Sequence, residues 1–196
     1  MNPSVAIVIL NWNGKAYLKQ FLPGILLSEY DNLQIVVGDN ASTDDSVLFL
    51  QENFPTVKII QNDQNYGFAG GYNKVLEHVV ADYFILLNSD VEVTPYWIKP
   101  VIDLMESDAQ IAAAQPKIKW QLNKQQFEYA GAAGGYLDIY SFPFCRGRLF
   151  NVYEFDNDQY NDTTEVFWAS GAAFFIKSKC WQEAGGLDAD LFAHME

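Results

Sequence analysis

The chain has 196 residues, 49% of them hydrophobic and 15% aromatic, which excludes a disordered chain and is enough to bury a core without disulfides or metals. Its 12 Lys and Arg against 25 Asp and Glu leave a net charge of −13, which argues against a nucleic-acid partner. No apolar run has the length of a transmembrane helix, the start Met1-Asn2-Pro3-Ser4 carries no basic signal-peptide stretch, and Cys145 and Cys180 form no CxxC pair, so a cytoplasmic protein with reduced thiols is expected.

Val5-Ala6-Ile7-Val8-Ile9-Leu10 is a continuous apolar run stopped by Asn11, the pattern of a strand buried on both faces in a parallel sheet. Residues 15–28 place Tyr17, Leu18, Phe21, Leu22, Ile25 and Leu26 on one helical face, with Pro23 expected to kink or break that helix. Leu33 to Gly38 reads as a second strand, followed by the polar loop 39–45, in which Ser42 or Thr43 is expected to cap a helix running to about Asn53. Val57 to Ile60 and Tyr83 to Leu87 read as third and fourth strands, separated by a helix from about Phe68 to Val80 that would hold His78 on its surface. Residues 95–107 read as a helix with Pro95 in its first turn.

This alternation predicts an α/β fold with a mostly parallel, doubly wound sheet. Beyond about Ile118 the rhythm is lost. Residues 121–165 are rich in Gly, aromatic and polar residues with hairpin-like apolar pieces, Val166 to Ile176 reads as one strand broken at Ser170-Gly171, and Ser178 to Ala184 reads as a short helix. The chain is therefore expected to be a single domain, with a regular nucleotide-binding half over about 1–118 and an irregular second half over about 119–196, which the resemblance described below makes a catalytic domain with its acceptor side in the second half.

Open parallel sheets bind ligands beyond the carboxyl ends of their strands. Those ends here are Asn11-Trp12-Asn13-Gly14, Asp39-Asn40-Ala41-Ser42, the Asn65–Asn73 stretch and Asn88-Ser89-Asp90, all small or polar. Neither the G-x-G-x-x-G of a dinucleotide fold nor a P-loop string occurs; Gly67, Gly70 and Gly71 follow the third strand instead. Hard divalent cations take carboxylate and phosphate oxygens, so Asp90 suits an Mg²⁺ or Mn²⁺ that bridges a diphosphate, and Glu92 could face the same side. The 156–162 stretch, with Asp156, Asp158 and Asp162, reads as a solvated acidic loop, and Trp97, Trp120 and Trp181 as core packing.

Taken in order, these segments, together with Ser170-Gly171-Ala172-Ala173-Phe174-Phe175-Ile176, resemble glycosyltransferase family 2, the inverting nucleotide-sugar transferases of the GT-A fold. The Asn-rich loop and the Gly67-Phe68-Ala69-Gly70 string resemble its rhamnosyltransferase-like branch. The resemblance implies a UDP- or dTDP-sugar donor and a hydroxyl acceptor on a saccharide or lipid-linked saccharide in surface polysaccharide synthesis. It implies that Asp39 bonds the donor base, that Asn11 and Asn13 line the same pocket, and that Gly67, Gly71 and Asn73 lie near ribose and diphosphate. Asn88-Ser89-Asp90 stands where the family carries its D-x-D motif, so Asn88 would touch the nucleotide and metal binding would rest on Asp90. Trp168, Ser170, Gly171 and His194 would lie near the acceptor or the transferred sugar.

By the same resemblance Glu196 is the first acid of the catalytic Glu-Asp motif and the second lies beyond it, so the catalytic domain is expected to be truncated at its C-terminal side. Membrane association at the inner face is then expected only through that further part. Two other readings compete: a fragment that binds nucleotide-sugar without turnover, and a sugar nucleotidyltransferase, for which Lys15 alone supplies the basic loop after the first strand.

Overall fold

The computed structural model describes residues 2–129 and 131–192. In chain order the first half forms β1 (Val5–Asn11), α1 (Lys15–Ile25), β2 (Leu33–Asp39), α2 (Ser46–Asn53), β3 (Lys58–Gln61), α3 (Gly67–Leu76), β4 (Tyr83–Asn88) and α4 (Ile98–Ser107). The second half forms β5 (Ala113–Ala114), β6 (Gly135–Leu137), β7 (Pro143–Cys145), β8 (Arg148–Leu149), β9 (Val152–Tyr153), β10 (Ala173–Lys177), α5 (Ser178–Ala184) and a 3₁₀ turn at Ala189–Leu191.

The main sheet has the order β3-β2-β1-β4-β10-β5, with β1 to β4 mutually parallel. β10 runs antiparallel to β4 and to β5. Side chains alternate across a strand, so an uninterrupted apolar run needs cover on both faces. Val5, Ile7 and Ile9 pack with Leu18, Leu22 and Ile25 of α1, Leu50 of α2 and Ile98, Ile102 and Met105 of α4. Ala6 and Val8 face the other way, against Tyr72, Val75 and Leu76 of α3 and Trp181 of α5. Each such buried aliphatic side chain contributes about 1.5–3 kcal/mol relative to exposure. The register sets Asn11 opposite Asp39 and Leu10 opposite Asn88, so the ends of β1, β2 and β4 form one rim.

Several expectations need correction. Pro23 does not break α1: it sits in the last turn, two residues before the helix closes at Ile25, where its missing N–H frees only the Lys19 carbonyl. Neither Ser42 nor Thr43 caps α2; the helix starts at Ser46, whose N–H donates to Asp44 Oδ1 at 3.0 Å. α3 ends at Leu76, so His78 lies past the helix, exposed as expected. α4 begins at Ile98, leaving Pro95 in the preceding turn. The stretch 166–176 is interrupted at Ser170-Gly171 as expected, but the part before the break is no strand: Trp168 makes a single bridge to Gly135, and continuous pairing begins only at Ala173. Trp120 is partly exposed rather than core, whereas Trp181 is buried and Trp97 packs edge-on against Phe175 at 5.3 Å.

The aromatic and Gly-rich stretch folds as a separate antiparallel sheet, β6-β7-β8-β9. Asp156 is no solvated acid. Its side chain is buried and accepts ion pairs from Lys117 at 2.9 Å and Lys119 at 2.6 Å. Lys119 foremost, and Lys117 with it, hold this carboxyl down to about 2. Cys145 and Cys180 are both unpaired thiols. Among the described residues no helix is long and apolar enough to cross a membrane.

Candidate active site

The rim is built around two buried polar side chains, Asn11 (1% exposed) and Asp39 (2%). Asn11 Nδ2 donates to Asp39 Oδ1 at 3.0 Å and to Ser42 Oγ at 3.1 Å, while the Ser42 N–H donates to Asp39 Oδ2 at 3.0 Å. Each carboxylate oxygen is thus held by one donor and keeps further lone-pair capacity. Asn11 Oδ1 has no partner among the described residues, although a buried polar atom without one is costly. It lies against Gly14, where a Cβ would overlap it and come within 3.8 Å of Ser89 Oγ, so the ends of β1 and β4 converge there.

The other sequence-predicted residues divide by what their side chains do. Asn13 is exposed, with a left-handed backbone (φ 52°). Its Oδ1 accepts from the N–H groups of Thr43 at 2.7 Å and Asp44 at 3.2 Å, tying the first loop to the second. Gly71 allows close packing of α3, since a Cβ would lie 2.8 Å from Leu10 and 2.9 Å from Asn40 Nδ2. Gly67 has φ +72°, and a side chain there would overlap the Phe192 carbonyl, which accepts the Phe68 N–H at 2.6 Å. The Asn73 amide is engaged at both ends by the Leu187 backbone, at 2.8 and 2.9 Å. These three therefore hold α3 against its neighbours.

Asn88 is half-buried at the end of β4 and its N–H donates to the Ala172 carbonyl at 3.0 Å, which brings the Ser170-Gly171-Ala172 segment to the same rim. Ser170 is buried; its N–H donates to Gln115 Oε1 at 2.6 Å and its Oγ accepts the Ala172 N–H at 3.2 Å. Gly171 sits over Phe68, 2.9 Å from where its Cβ would be. Trp168 lies further out, its indole N–H donating to the Tyr136 carbonyl at 3.1 Å and its ring covering Gly135. His194 and Glu196 lie outside the described residues.

Asp90 stands on the turn after β4 and is exposed, not poorly solvated as the end of a buried strand would suggest. It makes no hydrogen bond or ion pair among the described residues, and Glu92 does not join it, being paired with Lys124. No group of three His, Cys, Asp or Glu side chains gathers for a metal among the described residues. One free carboxylate on the turn after β4 fits a hard cation that takes its remaining ligands from a diphosphate, not one held by protein alone.

Asn40 is a residue whose role the sequence did not disclose. Its Nδ2 donates to Asn65 Oδ1 and to the Gly67 carbonyl, both at 2.8 Å, and its Oδ1 accepts from Asn62 Nδ2 at 3.0 Å and the Tyr66 N–H at 3.2 Å. One buried amide thus shapes the whole 62–67 loop. Its only signal was its place directly after Asp39.

The profile of glycosyl transferase family 2 matches residues 4–182. An uncharacterized glycosyltransferase of Haemophilus influenzae is 26% identical over 82% of this chain and 50% of its own length. The N-acetylglucosaminyl-diphospho-decaprenol L-rhamnosyltransferase of Mycobacterium tuberculosis is 20% identical over 100% of this chain and 68% of its own. Among solved structures, the mannosyltransferase PcManGT of Pyrobaculum calidifontis, in complex with GDP-Man and Mn²⁺, superposes with TM-score 0.62 at 15% identity, over 97% of this chain and 49% of that one. S. aureus TarS 1-349 in complex with UDP gives TM-score 0.66 at 12% identity, over 97% and 52%. The fold is the GT-A fold, and the chain spans about half the length of the Haemophilus relative and of both solved structures.

Proposed function

The chain belongs to glycosyl transferase family 2, and from that premise we propose that it is the donor-binding part of an inverting transferase that moves a sugar from a nucleotide diphosphate to an acceptor hydroxyl. The observation that carries the reading is the rim itself. A buried, amide-held carboxylate (Asp39, end of β2) and an unpartnered amide oxygen (Asn11, end of β1) lie two strands and one strand away from a free carboxylate after β4 (Asp90), where open α/β sheets bind ligands.

Asp39 accepts the one ring N–H of the donor base, with Asn11 lining the same pocket. The base is a pyrimidine, UDP or dTDP, with GDP as the alternative that the archaeal relative's complex suggests. Asn88 and Asp90 face the diphosphate. A divalent cation, when bound there, offsets the charge of the departing nucleotide diphosphate. Trp168, Ser170 and Gly171 line the side where a saccharide or lipid-linked saccharide acceptor enters, as the mycobacterial relative's name suggests. A carboxylate near Glu196 removes the acceptor proton, a contribution of about 10²–10⁴-fold for a positioned base.

Calorimetric titration of the chain with UDP, dTDP and GDP, with and without Mn²⁺, tests this reading. Binding of a pyrimidine diphosphate that Mn²⁺ strengthens is the expected result. Absence of binding to all three nucleotides would overturn it.

A further inference from the structure

The peptide unit between Gly67 and Phe68 is gripped at both ends. Its carbonyl accepts from Asn40 Nδ2 at 2.8 Å, and its N–H donates to the Phe192 carbonyl at 2.6 Å. A trans peptide is planar, with its C=O and N–H pointing opposite ways, so Asn40 and Phe192 stand on opposite sides of one rigid plate. Gly67 allows this setting: its φ is +72°, and a Cβ there would overlap the Phe192 carbonyl. The first N–H groups of a helix have no partner within it, and Tyr66, the N-cap of α3, makes no side-chain cap bond. The Phe192 carbonyl takes that place for Phe68.

Each grip leads to a different part of the molecule. Asn40 follows Asp39 directly, is 2% exposed, and donates its own N–H to the Asn11 carbonyl at 2.8 Å, so it is fixed to the centre of the rim. Phe192 closes the 3₁₀ turn, whose Ala189 lies against Gly70 of α3. Its backbone holds φ 56°, a state that a bulky residue keeps only where its surroundings impose it. The other mooring of this segment, Asn73 to Leu187, uses the Asn73 amide at both ends and carries nothing onward to the rim. One line of bonds therefore runs from Asn40, beside Asp39, through the Gly67–Phe68 peptide to Phe192, and hydrogen bonds in such a chain polarise and strengthen one another.

We propose that Asn40 is a positioning residue that couples a nucleotide at Asp39 to the 188–192 turn through the Gly67–Phe68 peptide. A base bonded to Asp39 restricts the turn after β2, which fixes the Asn40 amide and with it the peptide that Phe192 caps. Ordering supplied by one partner need not be supplied again by the other, so bound nucleotide holds Phe192 more firmly and a held Phe192 favours the nucleotide equally. The inference rests on the donor reading for what occupies Asp39. It adds the role of Asn40 and the route to the segment that precedes Glu196.

The Phe68 amide reports on this link, because its hydrogen exchanges only when the bond to Phe192 opens. Exchange is followed by NMR in the chain alone and with saturating UDP or dTDP and Mg²⁺. Nucleotide slows exchange at Phe68 by about ten-fold, a coupling of ordinary size. In Asn40→Asp the carboxylate still accepts from Asn62 Nδ2 and the Tyr66 N–H but donates nothing to Gly67. Exchange at Phe68 is then faster without nucleotide, and saturating nucleotide no longer slows it. Gly67→Ala displaces Phe192 from the other side, leaves Asn40 in place, and loses the same increment. A merely structural Asn40 would shift exchange equally with and without nucleotide; an increment retained in Asn40→Asp overturns the proposal. So does nucleotide that binds the parent without slowing Phe68. Calorimetry separates that result from nucleotide that does not bind at all, which overturns the donor reading and the coupling together.

Discussion

Asn11 and Asp39 face each other across the last rung of the β1–β2 ladder, and the single Nδ2–Oδ1 bond between them orients both side chains. Removing Asp39 takes an acceptor from Asn11 Nδ2 and from the Ser42 N–H, so it costs stability as well as ligand binding. Asp39→Ala is expected to weaken binding of the pyrimidine diphosphate by about 1–3 kcal/mol, the cost of leaving buried partners unpaired. Titration calorimetry reads the effect directly; an unchanged affinity removes Asp39 from the nucleotide site.

Asp90 predicts the opposite balance of stability and binding. It is exposed and unbonded, so Asp90→Asn should leave the thermal midpoint within about 1 °C, as surface substitutions usually change stability by no more than about 0.5 kcal/mol. The increment in diphosphate affinity that Mn²⁺ supplies should vanish, with the metal-free affinity kept. Titrations of parent and variant in Mn²⁺ and in a chelator check this. A retained Mn²⁺ increment would place the cation elsewhere.

The segment leading to the expected catalytic acid is moored to α3 by Asn73 and by the Phe192 carbonyl at Gly67–Phe68. Asn73→Leu deletes both bonds to Leu187 and leaves its N–H and carbonyl unpaired, which should cost about 1–3 kcal/mol. The loss should be local: hydrogen exchange is expected to accelerate over 186–192 while the β1 and β4 amides keep their protection. Uniform acceleration through the sheet would mean that this mooring supports the whole fold.

How far the fold was legible depended on where its constraints act. β1, β2 and β4 are apolar runs of six or seven residues stopped by polar residues, so their pattern alone placed them and put Asn11, Asp39 and Asn88 at one rim. β6 to β9 are two or three residues long, too short to establish a period, and their order follows from turns and long-range pairing. β10 runs antiparallel beside β4, yet Ala173–Lys177 reads like any other buried strand. Within the site, Gly67 and Gly71 look alike in sequence; only the nearness of Phe192 to the first, and of Leu10 and Asn40 to the second, shows what a side chain at each would meet. Asn40 shows the same limit, because a lone Asn does not announce four hydrogen bonds.

Asp156 carries the clearest pH dependence. Lys119 and Lys117 hold its carboxyl down to about 2, against 3.8 for the free group. A depressed acid stabilises the fold fully above its unfolded value, and that contribution is lost as the pH falls from about 3.8 towards 2. The gap corresponds to about 2 kcal/mol at most, from roughly 1.4 kcal/mol per unit. Asp156→Asn should therefore lower stability at neutral pH by about 1–2 kcal/mol and also leave the two lysines without their partner. In urea unfolding the difference between parent and variant should shrink steadily through that acid window, since protonation removes from the parent what the substitution already removed. A difference that stays constant down to pH 2 would mean that Asp156 contributes by packing and not by charge.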